Sequence, residues 1–256
     1  MNKTLIASKT GLGILFVLFV GLLKASAFGG GETGGETTGR VVSAETKVKA
    51  LDSRIESVYS SIDGPKPSQE VFKKALIGYY NLELGKKVDR KRKIITIADF
   101  SKSANEKRLW VIDLTSKKTL FNTYVAHGRN TGNVFAKTFS NTVNSNQSSM
   151  GFYVTAETYY GKHGLSLRLD GQEKGVNDNA RRRAIVMHGA DYVSENFIKR
   201  VGRLGRSFGC PSIPMELRDD IIKTIANKTC LFIHYPDAEY EKGSKLFDYT
   251  GLLATI

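Results

Sequence analysis

The sequence predicts a mainly β fold, a sandwich or barrel, preceded by a small α-helical hairpin. Between residues 91 and 237 the apolar residues gather in seven short β-rich segments broken by Gly, Asn and Ser, with no long helical pattern among the first six. Such spacing marks a mainly antiparallel sheet. Between residues 41 and 90 apolar residues recur instead at intervals of three and four, the helical period. The composition, 41% hydrophobic and 10% aromatic against 25% charged, suits a chain with a buried core. It excludes wholesale disorder, a collagen-like repeat and a coiled coil.

Taken in order, residues 1–27 carry the three parts of an export signal: Lys3 and Lys9, an apolar run from Gly11 to Leu23, and Ala25-Ser26-Ala27 as the cleavage site. Cutting is expected before Phe28, and the chain is expected in the periplasm or cell envelope. The 13-residue run is short for a bilayer span, but Lys24 leaves retention as an uncleaved membrane anchor as the alternative. Residues 28–40 are a glycine-rich linker, with six glycines between Gly29 and Gly39. In the hairpin, residues 41–90, Val48, Leu51, Ile55, Val58 and Ile62 form one helical face, which Asp63-Gly64-Pro65-Lys66-Pro67 ends. Ser68 and Glu70 open a second helix through Val71, Phe72, Ala75, Leu76, Tyr79 and Leu82, closed near Gly85.

The strands expected within 91–237 are Ile94–Phe100, Arg108–Leu114, Leu120–Ala126, Gly151–Thr158, Leu165–Leu169, Ala184–His188 and Cys230–Tyr235. Met215–Ile225 is the exception, a short helix whose face is Leu217, Ile221, Ile222 and Ile225. Residues 238–256 read as a polar, poorly ordered tail.

The formal charge is +13, and loss of residues 1–27 removes three lysines and no acids, leaving +10. For an exported chain this suits anionic wall polymers and lipid head groups rather than nucleic acid. Two cysteines without a C-x-x-C exclude a disulfide scaffold, a zinc ribbon and a thioredoxin-type motif.

The most informative stretch is Gly205-Arg206-Ser207-Phe208-Gly209-Cys210-Pro211, which begins shortly after His188-Gly189. A cysteine among glycines in a loop ahead of a helix is placed for nucleophilic work, provided the thiolate is favoured. The helix near Pro214 and the Arg206 cation are expected to help. His188 ends an apolar strand and would serve as its base. The N–H groups of Phe208, Gly209 and Cys210 are candidate oxyanion donors. The competing reading is a buried loop cysteine with a strand-end histidine satisfied by backbone. His127 and His163, each beside a glycine, are candidate cleft residues.

These residues resemble the His…Ser-x-Gly-Cys signature of the YkuD-type L,D-transpeptidases, the cysteine enzymes of peptidoglycan cross-linking. Asp99-Phe100-Ser101, Arg108-Leu109-Trp110-Val111-Ile112-Asp113, Val125-Ala126-His127-Gly128, Phe139-Ser140-Asn141 and Ser149-Met150-Gly151-Phe152-Tyr153 extend the likeness to the murein L,D-transpeptidase catalytic domain family. The resemblance implies a YkuD-like β-sandwich or barrel with a short helix after the catalytic Cys. It implies Cys210 as acyl-accepting nucleophile, His188 as base, and the Gly189 carbonyl as the group that orients the imidazole. Ser207, Phe208 and Gly209 become the oxyanion loop; apart from the resemblance, Arg206 or Arg203 and the glycine-flanked His127 are candidate substrate contacts. Peptidoglycan stem peptides are the implied substrate, and no metal or organic cofactor is required.

Two departures stand out. Many relatives carry a histidine where Phe208 stands, and Pro211-Ser212 occupies a place where other branches often have a polar or basic substrate contact. The implied reaction forms 3→3 cross-links through a Cys thioester. The alternatives are a stem-peptide hydrolase on the same fold, trimming stems or detaching wall-linked proteins, and a non-catalytic wall-binding module. Gly205-Arg206-Ser207-Phe208-Gly209 also fits a serine nucleophile elbow, but lacks the strand before it and the helix straight after it. Cys230 reads as buried strand rather than a sortase nucleophile, and the histidines lack zinc-ligand spacing. A Cys210–Cys230 disulfide is permitted by export and would silence the nucleophile.

Overall fold

The computed structural model describes residues 43–255, so the expected export signal and glycine linker lie outside the described residues. An eight-stranded sheet has the order β3-β2-β1-β8-β4-β5-β6-β7. Its strands are β1 Ile94–Asp99, β2 Leu109–Asp113, β3 Lys118–Thr123, β4 Gly151–Gly161, β5 Gly164–Gly171, β6 Val186–Gly189, β7 Ser212–Ile213 and β8 Cys230–His234. Beyond β3, Ala126 bridges to Ser212 of β7, so the two edges of the sheet approach and the barrel is nearly closed. The mainly β fold with an N-terminal helical hairpin is therefore the fold observed. Most pairings are antiparallel, but β1–β8 and β6–β7 are parallel.

Alternation along the strands divides the core in two. Ala98, Val111, Tyr153, Leu167, Met187, Leu231 and Ile233 point to the barrel interior, together with Ile221, Ile222 and Ile225 of helix α4, Arg218–Ile225. Ile95, Ile97, Trp110, Phe152, Val154, Cys230 and Phe232 face outward under the N-terminal helices. Those helices are α1, Ala44–Ser61, and α2, Gln69–Leu84, capped by the Ser43 and Ser68 side chains. Helix α2 buries Phe72, Ala75, Leu76 and Tyr79 in that same outer cluster. The hairpin is thus a layer of the sheet's own core and not a separate lobe.

Three local differences from the sequence reading have physical causes. Strand β6 begins at Val186 because Ala184 sits at φ +52°, a left-handed conformation that no strand accommodates. A seven-residue helix, α3 Glu195–Val201, forms with Ser194 as cap and Gly202 as left-handed stop. It buries no residue, so it leaves no apolar period to read. The expected polar tail instead folds as α5, Ala238–Gly243, a 3-10 turn at Lys245–Phe247, and α6, Thr250–Leu253. Phe247 packs edge-on to Phe152 and Phe232, and Tyr240 donates to the buried Glu173 carboxylate at 2.9 Å.

Candidate active site

Strands β6 and β7 run parallel, with His188 opposite Ser212 and Gly189 opposite Ile213. The loop leading into β7 sets Cys210 against the start of β6. Its sulfur accepts from the Val186 N–H at 3.5 Å and donates to the Ala184 carbonyl at 3.7 Å. A thiol that donates to a carbonyl carries its proton. Burial pushes the Cys210 thiol up, against the Val186 N–H and the cations of Arg183 and Lys162. A protonated thiol of this kind needs a base before it can act as a nucleophile. Cys230 faces the outer core on β8, and both thiols are free, so the permitted disulfide is not formed.

The loop is held from both sides. Ser207 Oγ accepts from the Gly209 N–H at 3.0 Å and donates to the Cys210 carbonyl at 2.6 Å. Ser148 Oγ donates to the Gly209 carbonyl at 3.0 Å and accepts from the Gly128 N–H at the same distance. Gly209 adopts φ +124°, and a Cβ there would stand 2.8 Å from the Gln147 carbonyl oxygen. Only glycine fits. The Gly209 N–H is therefore committed to Ser207 and is not an open oxyanion donor. Among the described residues no acceptor outside their own residue takes the N–H groups of Phe208 and Cys210, which stay free as candidate oxyanion donors.

His188 is buried at the end of β6. Its Nδ1 lies 2.9 Å from the Gly189 carbonyl, to which it donates, leaving Nε2 as an acceptor 3.0 Å from Ser212 Oγ. The His163 ring, at the tip of the β4–β5 hairpin, stacks on it at 4.3 Å. Burial pushes His188 below its ordinary value, with His163 and Lys162 adding to the effect and the Gly189 carbonyl opposing it. No hydrogen bond joins Cys210 to His188: Ser212 occupies the imidazole lone pair and Ala184 takes the thiol. The two expected partners share a strand neighbourhood without touching as a bonded pair.

The remaining expected contacts separate. His127 is 1% exposed, lies 2.8 Å from Arg108 through Nδ1, and approaches the Gly132 carbonyl through Nε2. Burial and the Arg108 cation lower it to about 4, which makes it a neutral core residue and not a cleft residue. Arg206 donates to the carbonyls of Arg129 and Gly132 and is not among the groups that act on Cys210; Arg183 and Lys162 take that role. Phe208 is 64% exposed with the Arg129 guanidinium 4.7 Å from its ring centre. The helix expected near Pro214 does start there, as a 3-10 turn at Met215–Leu217 that continues into α4, but no hydrogen bond among the described residues links it to the Cys210 sulfur. A cavity of about 920 Å³ lined by Lys86, Arg90, Val154, Glu157, Arg181 and Lys228 shares no residue with this site.

The L,D-transpeptidase catalytic domain family matches residues 64–234, two thirds of the chain, including every residue just described. The chain belongs to this family. The match begins ahead of α2, consistent with that helix sharing the sheet's core. Among solved structures, an L,D-transpeptidase from Mycobacterium smegmatis is similar at 11% identity and TM-score 0.35, covering 56% of this chain and 59% of that one. The helical cell shape determining protein of Campylobacter jejuni shows 12% identity and TM-score 0.40, with 64% and 53% covered. L,D-transpeptidase 1 of Mycobacterium tuberculosis shows 10% identity and TM-score 0.32, with 56% and 62% covered. The chain thus spans 53–62% of the length of these proteins. No curated protein matches it significantly.

For this family member, sequence reading missed Lys162, Arg183 and Tyr192. Arg183 donates to the Ser140 and Gln147 carbonyls and the Ser149 hydroxyl, holding the 140–149 segment against which Gly209 packs. It sits in the run Arg181-Arg182-Arg183, where three adjacent arginines look alike in sequence. The structure separates them: Arg183 is partly buried while Arg181 lies exposed in ion pairs with Glu157 and Asp170.

Proposed function

We propose that the chain is an exported cysteine L,D-transpeptidase of the periplasm or cell envelope, acting on peptidoglycan stem peptides and forming 3→3 cross-links. The observation that carries this reading is the place of Cys210: within the family match, the less buried of the two thiols hangs on the strand that carries His188. His188 Nε2 accepts the thiol proton once Ser212 yields it. The thiolate then attacks the carbonyl of the third stem residue, and the N–H groups of Phe208 and Cys210 receive the oxyanion. The C–N bond to the terminal D-residue breaks, its amine takes the proton from His188, and the acyl group stays on sulfur as a thioester. An amine from a neighbouring stem attacks that thioester, returning the thiol and leaving the cross-link. Arg206, with Arg129 and Arg203 close enough to oppose its charge, gives this flank of the loop a positive field for stem carboxylates. Residues 1–27 direct export and, if uncut, would anchor the chain in the membrane.

The test incubates the purified chain and Cys210→Ala with a disaccharide tetrapeptide and follows adducts and products by mass spectrometry. A thioester on the parent alone, with dimeric product, supports the reading. Shortened monomer would make the protein a stem-peptide hydrolase. Binding by both proteins with neither adduct nor product would make it a wall-binding module.

A further inference from the structure

We propose that Ser212 and Tyr192 are positioning residues that set the protonation of His188 through a chain of two hydroxyls. Resting on the reading above for its catalytic meaning, the inference itself stands on three contacts. Tyr192 Oη lies 3.0 Å from Ser212 Oγ, Ser212 Oγ lies 3.0 Å from His188 Nε2, and His188 Nδ1 lies 2.9 Å from the Gly189 carbonyl. Because a carbonyl only accepts, Nδ1 must donate, and the neutral ring presents a bare Nε2. Ser212 then donates to Nε2 and accepts from Tyr192.

Each link is held by backbone. Ser212 is fully buried, and its own N–H and carbonyl bridge to Ala126 across the barrel seam. Tyr192 packs on Gly205, where a Cβ would fall 2.3 Å from the tyrosine's own, and its carbonyl accepts from the Gly205 N–H at 2.9 Å. The first glycine of the Gly205–Pro211 stretch thus makes room for the outer end of the chain. Ser212 also accounts for one of the departures noted above, since this position supplies a contact to the base instead of a basic contact to substrate.

Proton transfer reverses both hydroxyls. When the Cys210 S–H bond breaks and an Nε2–H bond forms, the electron pair stays on sulfur and the imidazole becomes a cation. Ser212 Oγ then accepts from Nε2–H, its hydrogen turns to Tyr192 Oη, and the tyrosine hydrogen turns outward. The charged ring gains a charge-assisted acceptor, which is stronger than the neutral bond it replaces. This offsets what opposes the cation. His163 and Lys162 face the ring from the β4–β5 tip, Arg218 lies beside Gly189 from α4, and Arg183 and Cys210 lie beyond Val186. No carboxylate forms an ion pair with His188 among the described residues.

The test uses the full chain with Ser212→Ala, Ser212→Thr and Tyr192→Phe. The His188 ring is titrated by NMR, and the rate of Cys210 alkylation by iodoacetamide is followed against pH. Ser212→Ala is expected to lower the His188 midpoint by about one unit and to slow alkylation at pH 7 about tenfold. Tyr192→Phe, which keeps the ring against Gly205, moves both in the same direction by less, and Ser212→Thr restores both. A His188 midpoint and alkylation profile unchanged in folded Ser212→Ala and Tyr192→Phe would overturn the proposal. Neither readout needs the tetrapeptide. A parent that shows these shifts but forms no thioester sinks the transpeptidase reading alone, and a parent that cross-links without them sinks this one alone.

Discussion

Replacing Gly209 by Ala tests whether the Cys210 loop is fixed by its backbone. Gly209 holds φ +124°, where an L side chain costs about 1–3 kcal/mol. The added Cβ would also stand 2.8 Å from the Gln147 oxygen and 3.0 Å from the Ile185 methyl. Neither neighbour retreats freely, because Gln147 O is held by Arg183 and Ile185 is 3% exposed in the barrel core. Overpacking of this kind costs roughly another 1–3 kcal/mol. The sum is a large part of the stability of an ordinary domain and corresponds to a fall in Tm of about 5–20 °C. Calorimetry of Gly209→Ala measures it. Gly243→Ala is the control, since nothing lies within 4 Å of its Cβ position, and it should change stability by less than about 0.5 kcal/mol. A Gly209→Ala protein that melts within about 1 °C of the parent would refute the reasoning.

Arg108 is fully buried and donates to the Val125 carbonyl from Nε and to the Lys102 carbonyl from a terminal nitrogen, with His127 beside the other. Arg108→Met strands these acceptors, and a loss of about 3–5 kcal/mol is expected in denaturant unfolding. His127, lowered to about 4, binds its proton less readily folded than unfolded. Its stabilising share is therefore complete above about pH 6.5 and is lost as pH falls from there through 4, roughly 3 kcal/mol in all. His127→Gln should show a correspondingly shallower acid limb in Tm against pH. Cys210, pushed up by burial, should alkylate slowly at pH 7 and faster toward pH 9, and Arg183→Met should move that rise to higher pH by removing a cation. An unchanged alkylation profile in Arg183→Met would place that guanidinium outside the thiol's field.

What the sequence disclosed followed the strength of its periodic signals. Strands β1, β2, β4 and β8 carry continuous or alternating apolar residues and were legible nearly to their ends. Helices α1 and α2 announce themselves through Ser caps and a three-four spacing. Strand β7 has two residues, and its existence depends on His188 and Ala126 lying on either side, neither of them near it in sequence. The 238–255 segment holds its order through Tyr240, Phe247 and Leu252, single anchors too few to make a period. Within the site, Cys210 and His188 stood out because glycines flank them. The direct pairing expected of them did not form because of a hydroxyl two residues past the cysteine.

That hydroxyl links the closing of the barrel to the state of the site. The Ser212 main chain exchanges hydrogen bonds with Ala126, joining β7 to the chain that continues from β3, while its side chain holds His188 Nε2. The same two-residue strand sets Ser212 opposite His188, and Cys210 lies only two residues before it. Any motion that opens the seam therefore moves the hydroxyl partner of His188 and the Cys210 loop together. His127, a neighbour of Ala126, is the buried ring whose protonation would open that seam. Acidification toward pH 4 should then loosen the Cys210 loop before the outer helical layer, where α2 and β8 bury Phe72 and Phe232 completely. Hydrogen exchange at pH 4.5 and 7 separates the two, and protection lost first from α2 would contradict this coupling.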